Sequence, residues 1–397
     1  MNAATVPASQ DWHRFFCQTI VVNCHYWLKR TQADVSSVLQ ELPQVLTGLS
    51  FALSLPEAWS ASRDLIAHLS PLIIRQGASA TWETYLTRSI ARSAQEKDPA
   101  EIYLRLQLGE LYRLQGRFPE ARDCLQTALA LCEPSQNRSH YWSLLNRLGL
   151  VARQSAQHEA ALSYSSQVLA EPDLPLAEQA EACNVLGLVA HDRREWSEAL
   201  RYFDQALRCY RSVGDGYQVA RMLNNRGLIL LRSDRLAEAE ESYRAAITQF
   251  QAVDDPIEQF KSAMNLGNVF LMRQDYEAAI RQYLTALPIF RRFSYMVDQA
   301  HTHNNLGMAY GGLGRWEPAE AHYTTSIDLW RSVGDRYNLA NALDNLGLMV
   351  SQAGQPERAR EILEEALDVL RPGLDNPANV PLFQAITHSL AQVTGEM

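Results

Sequence analysis

The sequence predicts an all-α protein, a right-handed superhelical α-solenoid of helical hairpins, and three observations predict it. A glycine recurs at Gly109, Gly149, Gly187, Gly227, Gly267, Gly307 and Gly347, with spacings of 40, 38, 40, 40, 40 and 40 residues, and so strict a period indicates a repeat array. Twelve residues after each of these glycines stands an alanine, from Ala121 to Ala359, and twenty after each stands Leu or Ile. Glycine and proline together number only 35 of 397 residues, which disfavours a β protein rich in tight turns.

Residues 1–98 contain no clean unit but read as helices at Trp12 to Leu28, Val35 to Leu53, Glu57 to Arg75 and Ala80 to Ala94. If Gly77 is a turn between helices, Trp82, Leu86 and Ile90 take second-helix core positions and Ser70 takes the glycine position. A degenerate repeat is therefore expected in this divergent region. Residues 99–371 read as seven hairpins. In the first helix of most, Leu precedes the glycine and an apolar residue such as Tyr112, Phe270 or Tyr310 follows it by three, which marks one buried stripe. In the second helix, the alanine is followed four residues on by Leu125, Phe203, Tyr243, Tyr283, Tyr323 or Leu363. The small residues at the glycine and first alanine suit a point where two helices approach closely.

Punctuation agrees with this period. Gly116-Arg117, Gly314-Arg315 and Gly354-Gln355 supply turns inside hairpins, and Pro119, Pro318 and Pro356 stand where a helix can begin without losing a hydrogen bond. Gly214-Asp215, Asp254-Asp255-Pro256 and Gly334-Asp335 supply stops and N-caps between hairpins. The second unit departs from the pattern with Ser165 and Val168 at core positions, the third begins two residues early, and Pro288 is expected to bend the second helix of the fifth. Over residues 372–397, Pro372-Gly373 ends the array, and Leu382, Phe383, Ile386, Leu390 and Val393 form an amphipathic capping helix.

On these residues, above all NNRGLILLRSDRLAEAEESYRAAI from Asn224 and NNLGMAYGGLGRWEPAEAHYTTSI from Asn304, the chain resembles the tetratricopeptide repeat family in a 40-residue form. That resemblance implies stacked hairpins that bind another protein in a concave groove. The N-terminal region resembles, more weakly, the segment preceding the sensor repeats of STAND-type signalling proteins. The overall plan resembles that of Rap-type regulators, in which a groove-bound peptide changes what the N-terminal helices contact.

Chemistry of its own is not expected. No phosphate loop, zinc-protease, nucleophile-elbow or dinucleotide motif occurs at a strand-to-helix junction, so the reading is not an enzyme, with no cofactor and no metal. The net charge of −9 gives no global positive field for nucleic acid or an anionic membrane. The six cysteines form no C-x-x-C pair and read as reduced, packed thiols. No leader and no apolar stretch long enough to span a bilayer is visible, so a cytoplasmic location is expected. His301 and His303 lie two apart on one helix and so face different ways, a poor metal pair.

The binding candidates come from helical geometry. Two residues before each glycine stand Gln107, Arg147, Val185, Asn225, Asn265, Asn305 and Asn345, ending in four successive asparagines whose amides can pair with the backbone of an extended peptide. The alternative is that these asparagines bridge adjacent units. On the same face lie Arg221, Lys261 and His301 six residues before their glycines and Arg232 five after its own. The expected partner is a protein or extended peptide carrying acidic groups, and the expected role that of an adaptor, scaffold or sensor module. The alternative role is a peptide-sensing regulator whose N-terminal helices contact an effector.

Overall fold

The computed structural model describes residues 9–33, 38, 41–75, 80–132 and 138–395. The chain divides into two compact units, residues 1–189 and 190–397. Among the described residues there are nineteen α-helices and no strand, so the fold is all-α.

The first unit begins with α1 (Ser9–Ala33), longer than the stripe from Trp12 to Leu28, and α2 (Leu42–Ala52). Within the span expected to be helical from Val35 to Leu53, Val38 is helical and buried, Glu41 stands in a turn, and α2 then starts at Leu42 with Pro43 in its first turn. A 3₁₀ turn (Pro56–Ala58) leads into α3 (Trp59–Arg75), and α4 (Ala80–Glu96) follows. Gly77 lies outside the described residues. Trp82 Nε1 donates to Ser70 Oγ at 3.2 Å, and Trp82, Leu86 and Ile90 are buried with Leu65, Leu69, Leu104 and Leu108 in one core. Two hairpins follow, α5 (Ala100–Leu114) with α6 (Phe118–Leu131) and α7 (Arg138–Gln154) with α8 (His158–Leu169), and then α9 (Leu176–Asp192).

The second unit continues with α10 (Trp196–Val213) and has four complete hairpins: α11 (Gly216–Arg232) with α12 (Leu236–Ala252), α13 (Pro256–Met272) with α14 (Tyr276–Arg292), α15 (Met296–Gly312) with α16 (Trp316–Val333), and α17 (Arg336–Gln352) with α18 (Pro356–Leu370). Helix α19 (Val380–Thr394) closes it, with Leu382 and Ile386 buried against the last hairpin. Pro288 lies inside α14, which continues through it to Arg292.

The glycine column has a steric cause. A Cβ on Gly267 would lie 2.5 Å from Tyr283 Cε1, and one on Gly307 would lie 2.8 Å from the Tyr323 ring, well inside carbon contact distance. The aromatic series Phe203, Tyr243, Tyr283 and Tyr323 is fully buried, as core and not as an exposed stacking platform. In the second hairpin Ser165 replaces the large residue, and its buried hydroxyl has no protein partner.

A further column emerges seven residues after each glycine, where φ is positive at Gly116, Ala156, Arg194, Asp234, Gln274, Gly314 and Gly354. This left-handed residue turns the chain from first helix to second, and four of the seven positions accept it without glycine. Between hairpins, Gly214 and Gly334 end helices in the same conformation, and Asp215, Asp255 and Asp335 cap the next ones by accepting from the N–H three residues on. Asp275 caps α14 in the same way.

Candidate functional site

The four asparagines lie half-buried on the first helices of consecutive hairpins in the second unit, at Asn225 on α11, Asn265 on α13, Asn305 on α15 and Asn345 on α17. Three of them reach back to the preceding hairpin. Asn265 Nδ2 donates to Asn224 Oδ1 at 3.1 Å, Asn345 Nδ2 to Asn304 Oδ1 at 3.1 Å, and Asn305 Nδ2 to Asn268 Oδ1 at 2.9 Å. The acceptor in the first two pairs is the asparagine three residues before a glycine. Repeat five has Met264 there, and Asn268, one residue after the glycine, takes over the role. The hubs are further tied down, since Ser262 Oγ donates to Asn224 Oδ1 at 3.1 Å and the Tyr283 hydroxyl to Asn268 Oδ1 at 2.7 Å.

The amides are thus bridges between hairpins, and the bridging fixes their orientation. Each bridge uses one of the two hydrogens on the amide nitrogen, so one hydrogen remains to each half-exposed side chain. The sequence signal for the hubs is the doubled asparagine, Asn224-Asn225 and Asn304-Asn305, of which only the second member belongs to the column first considered. In the first unit the same column holds buried Gln107, buried Val185 and Arg147, which pairs with Glu181 at 3.2 Å and Glu110 at 3.6 Å.

The charges expected on this face are partly neutralised. Arg221 Nη1 donates to Gln218 Oε1 at 2.7 Å, and Arg232 is exposed at the end of α11. Lys261 Nζ lies 3.1 Å from Glu258 Oε1 and 5.2 Å from the centre of the Tyr295 ring. Burial works against the Lys261 charge, but Glu258 and Asp298 outweigh it and hold the ammonium above its usual range. Burial raises the Asp298 carboxyl, with Lys261 and His301 opposing. A continuous positive stretch is therefore interrupted at Lys261. His301 is half-buried with its ring edge-on to Trp330 at 4.7 Å, and burial lowers its pKa.

His303 faces elsewhere, into a polar cluster that periodicity does not show. Its Nδ1 lies 2.9 Å from Nδ1 of His322, and Arg291 Nη2 lies 3.4 Å from its Nε2. A guanidinium only donates, so Nε2 accepts and the His303 proton sits on Nδ1, directed at His322. Tyr310 stacks on His322 with ring planes 6° apart. Burial, with His322 and Arg291 alongside, pulls His303 down to about 4.

Among the described residues all six cysteines are unbridged and buried, and no helix is long and apolar enough to cross a membrane. One mixed cluster, His13, Cys17 and Glu57, lies in the first unit and was not visible as a metal-ligand spacing.

Comparison with known proteins fits this geometry. Residues 98–170, 178–252, 218–292 and 298–371 match the tetratricopeptide repeat family. A search of curated proteins by sequence returns no match. Among solved structures, the chain is similar to a STAND signal transduction ATPase with a tetratricopeptide repeat sensor from Pyrococcus horikoshii, at 18% identity and a TM-score of 0.62, over 89% of this chain and 55% of that one. It thus spans about half the length of that protein. It is similar to a Rap protein complexed with competence and sporulation factor, at 14% identity and a TM-score of 0.56, over 96% of this chain and 99% of that one. It is also similar to the apo form of the quorum sensor NprR from B. thuringiensis, at 14% identity and a TM-score of 0.55, over 74% of this chain and 81% of that one. At these identities the likeness is one of fold. The family match covers most of the chain and coincides with the hairpins built on the glycine and alanine columns, and this chain belongs to the tetratricopeptide repeat family.

Proposed function

We propose that the protein is a non-enzymatic interaction module that holds an extended segment of another protein along the first helices of its C-terminal hairpins. The observation that carries this reading is the row of half-exposed amides at Asn265, Asn305 and Asn345, each locked in orientation by a bond to the preceding hairpin. A group already fixed loses little conformational entropy on binding, so the bridges that stabilise the array also prepare it for a ligand backbone. Asn225 extends the row by one hairpin. Arg221 and Arg232 at its end favour a segment carrying carboxylates there, while Lys261, paired with Glu258, and His301, kept neutral by burial, line the row without adding net positive charge.

Random unstructured peptides displayed on phage and panned against the protein test the reading. Enriched peptides should lose affinity for Asn265→Ala with Asn305→Ala, and salt should weaken those with acidic residues. Retained affinity in the folded fraction of that double variant refutes the groove and leaves the amides a purely structural role.

A second reading, a peptide-sensing regulator, is favoured by one observation in the first unit. Helix α1 exposes Trp12, Phe15, Phe16, Val22 and Tyr26, more aromatic surface than a solvated helix needs. In that reading the groove takes a peptide and α1 contacts an effector. Substituting Phe15 and Val22 by Ser then abolishes the effector contact and leaves peptide affinity unchanged. Loss of both together argues against a division of labour.

A further inference from the structure

We infer that His13, Cys17 and Glu57 form a three-ligand site for a zinc-class divalent cation. His13 and Cys17 stand one helical turn apart on α1 and so share a face. Glu57 comes from a different segment, the 3₁₀ turn that leads into α3. His13 Nε2 lies 3.5 Å from Cys17 Sγ, Glu57 Oε2 lies 3.9 Å from the same sulfur, and the three donor atoms all lie within 4.8 Å of one another.

Zinc bonds of about 2.0 to 2.3 Å place tetrahedral ligands roughly 3.3 to 3.8 Å apart, so two of the separations are already near those of a loaded site. The third donor pair closes by side-chain rotation alone, because His13 and Glu57 are exposed and unconstrained by packing. Cys17, only 5% exposed, anchors the set.

The donor chemistry selects the ion. One sulfur, one imidazole nitrogen and one carboxylate oxygen suit zinc, whereas magnesium and calcium take oxygen sets. The thiol would bind as thiolate, losing its proton to solvent as the dication takes the sulfur, so binding is expected to strengthen with pH. The exposure of His13 and Glu57 leaves a fourth position for water. The loaded site would staple α1 to the start of α3 and so fix the helix that carries Trp12, Phe15 and Phe16. It stands independently of the proposed groove.

The test uses tag-free, chelator-treated full-length protein titrated with cobalt(II). The expected result is a thiolate-to-cobalt charge-transfer band saturating at one equivalent, displaced by zinc, with zinc raising the melting temperature. Cys17→Ser should abolish both. His13→Ala and Glu57→Gln, at exposed positions where circular dichroism can verify folding, should each weaken the ion by about tenfold or more. The other five cysteines are unchanged in these variants and serve as the internal control. No band in the wild-type protein overturns the proposal. So does a band that survives Cys17→Ser, or one indifferent to both His13→Ala and Glu57→Gln, which would mean a thiol acting alone.

Discussion

Replacing Gly267 by alanine and Gly149 by alanine adds one methyl group at the same position of two repeats, and the structure assigns the two changes different outcomes. A Cβ on Gly267 would sit 2.5 Å from Tyr283 Cε1 and 2.9 Å from its Cδ1. Ordinary carbon contacts begin near 3.5 Å, so the ring must retreat by roughly 1 Å. Tyr283 has nowhere to go, being fully buried with its hydroxyl held by Asn268 at 2.7 Å. Overpacking of this kind costs about 1 to 3 kcal/mol, and a clash this deep belongs at the upper end. Against it stands the helix preference of alanine over glycine, about 1 kcal/mol. The net expectation for Gly267→Ala is a loss of about 2 kcal/mol.

At Gly149 the nearest atoms are Val185 Cγ1 at 3.2 Å and Ser165 Oγ at 3.4 Å, so the neighbours yield by tenths of an ångström. Gly149→Ala should be close to neutral, the helix preference offsetting the squeeze. Urea unfolding followed by circular dichroism gives both values, and hydrogen exchange shows which hairpins lose protection. Tyr283→Ser supplies the control, because it gives repeat five the residue that repeat two has at Ser165. Adding Gly267→Ala to that variant should cost little more, a coupling of roughly 2 kcal/mol between the positions. Equal losses for the two alanine variants, or no coupling to Tyr283, would show that close approach is not why glycine stands there.

Three further outcomes follow from single contacts. Gln274→Gly and Asp234→Gly relieve positive φ values of 60° and should keep or raise stability by up to about 1 kcal/mol, whereas Gly314→Ala at φ 67° should lower it; midpoints of chemical unfolding decide. Tyr243→Phe removes a buried hydroxyl that no protein group meets and should be neutral or stabilising, whereas Tyr283→Phe takes a donor from the Asn268 hub and should cost about 1 kcal/mol. Burial and its neighbours hold His303 at about 4 against an ordinary 6.5, so its contribution is complete above pH 6.5 and lost as pH falls towards 4, at most roughly 3 kcal/mol; His303→Leu, with the residue of repeats four and seven, should flatten the stability profile across that window.

What could be read from the sequence and what could not differ in a physical way. A requirement met in every repeat shows as a column, so the approach of Gly267 to Tyr283 was legible from spacing alone. The left-handed residue seven positions later is as regular in backbone, yet Ala156, Arg194, Asp234 and Gln274 hide it, because its strain is small enough for ordinary side chains to bear. The asparagine column was legible as a row but not as a set of bridges, since each bond needs an acceptor 37 or 41 residues away. Where Met264 removes the usual acceptor, Asn268 supplies another, so the geometry is kept while the letter moves. The His303–His322 contact and the His13, Cys17, Glu57 set occur once each. Their partners come from different helices or segments, and nothing in a period can report them. Features shared by all hairpins in this array therefore describe how it stacks, and features used once are where chemistry particular to this protein has to be sought.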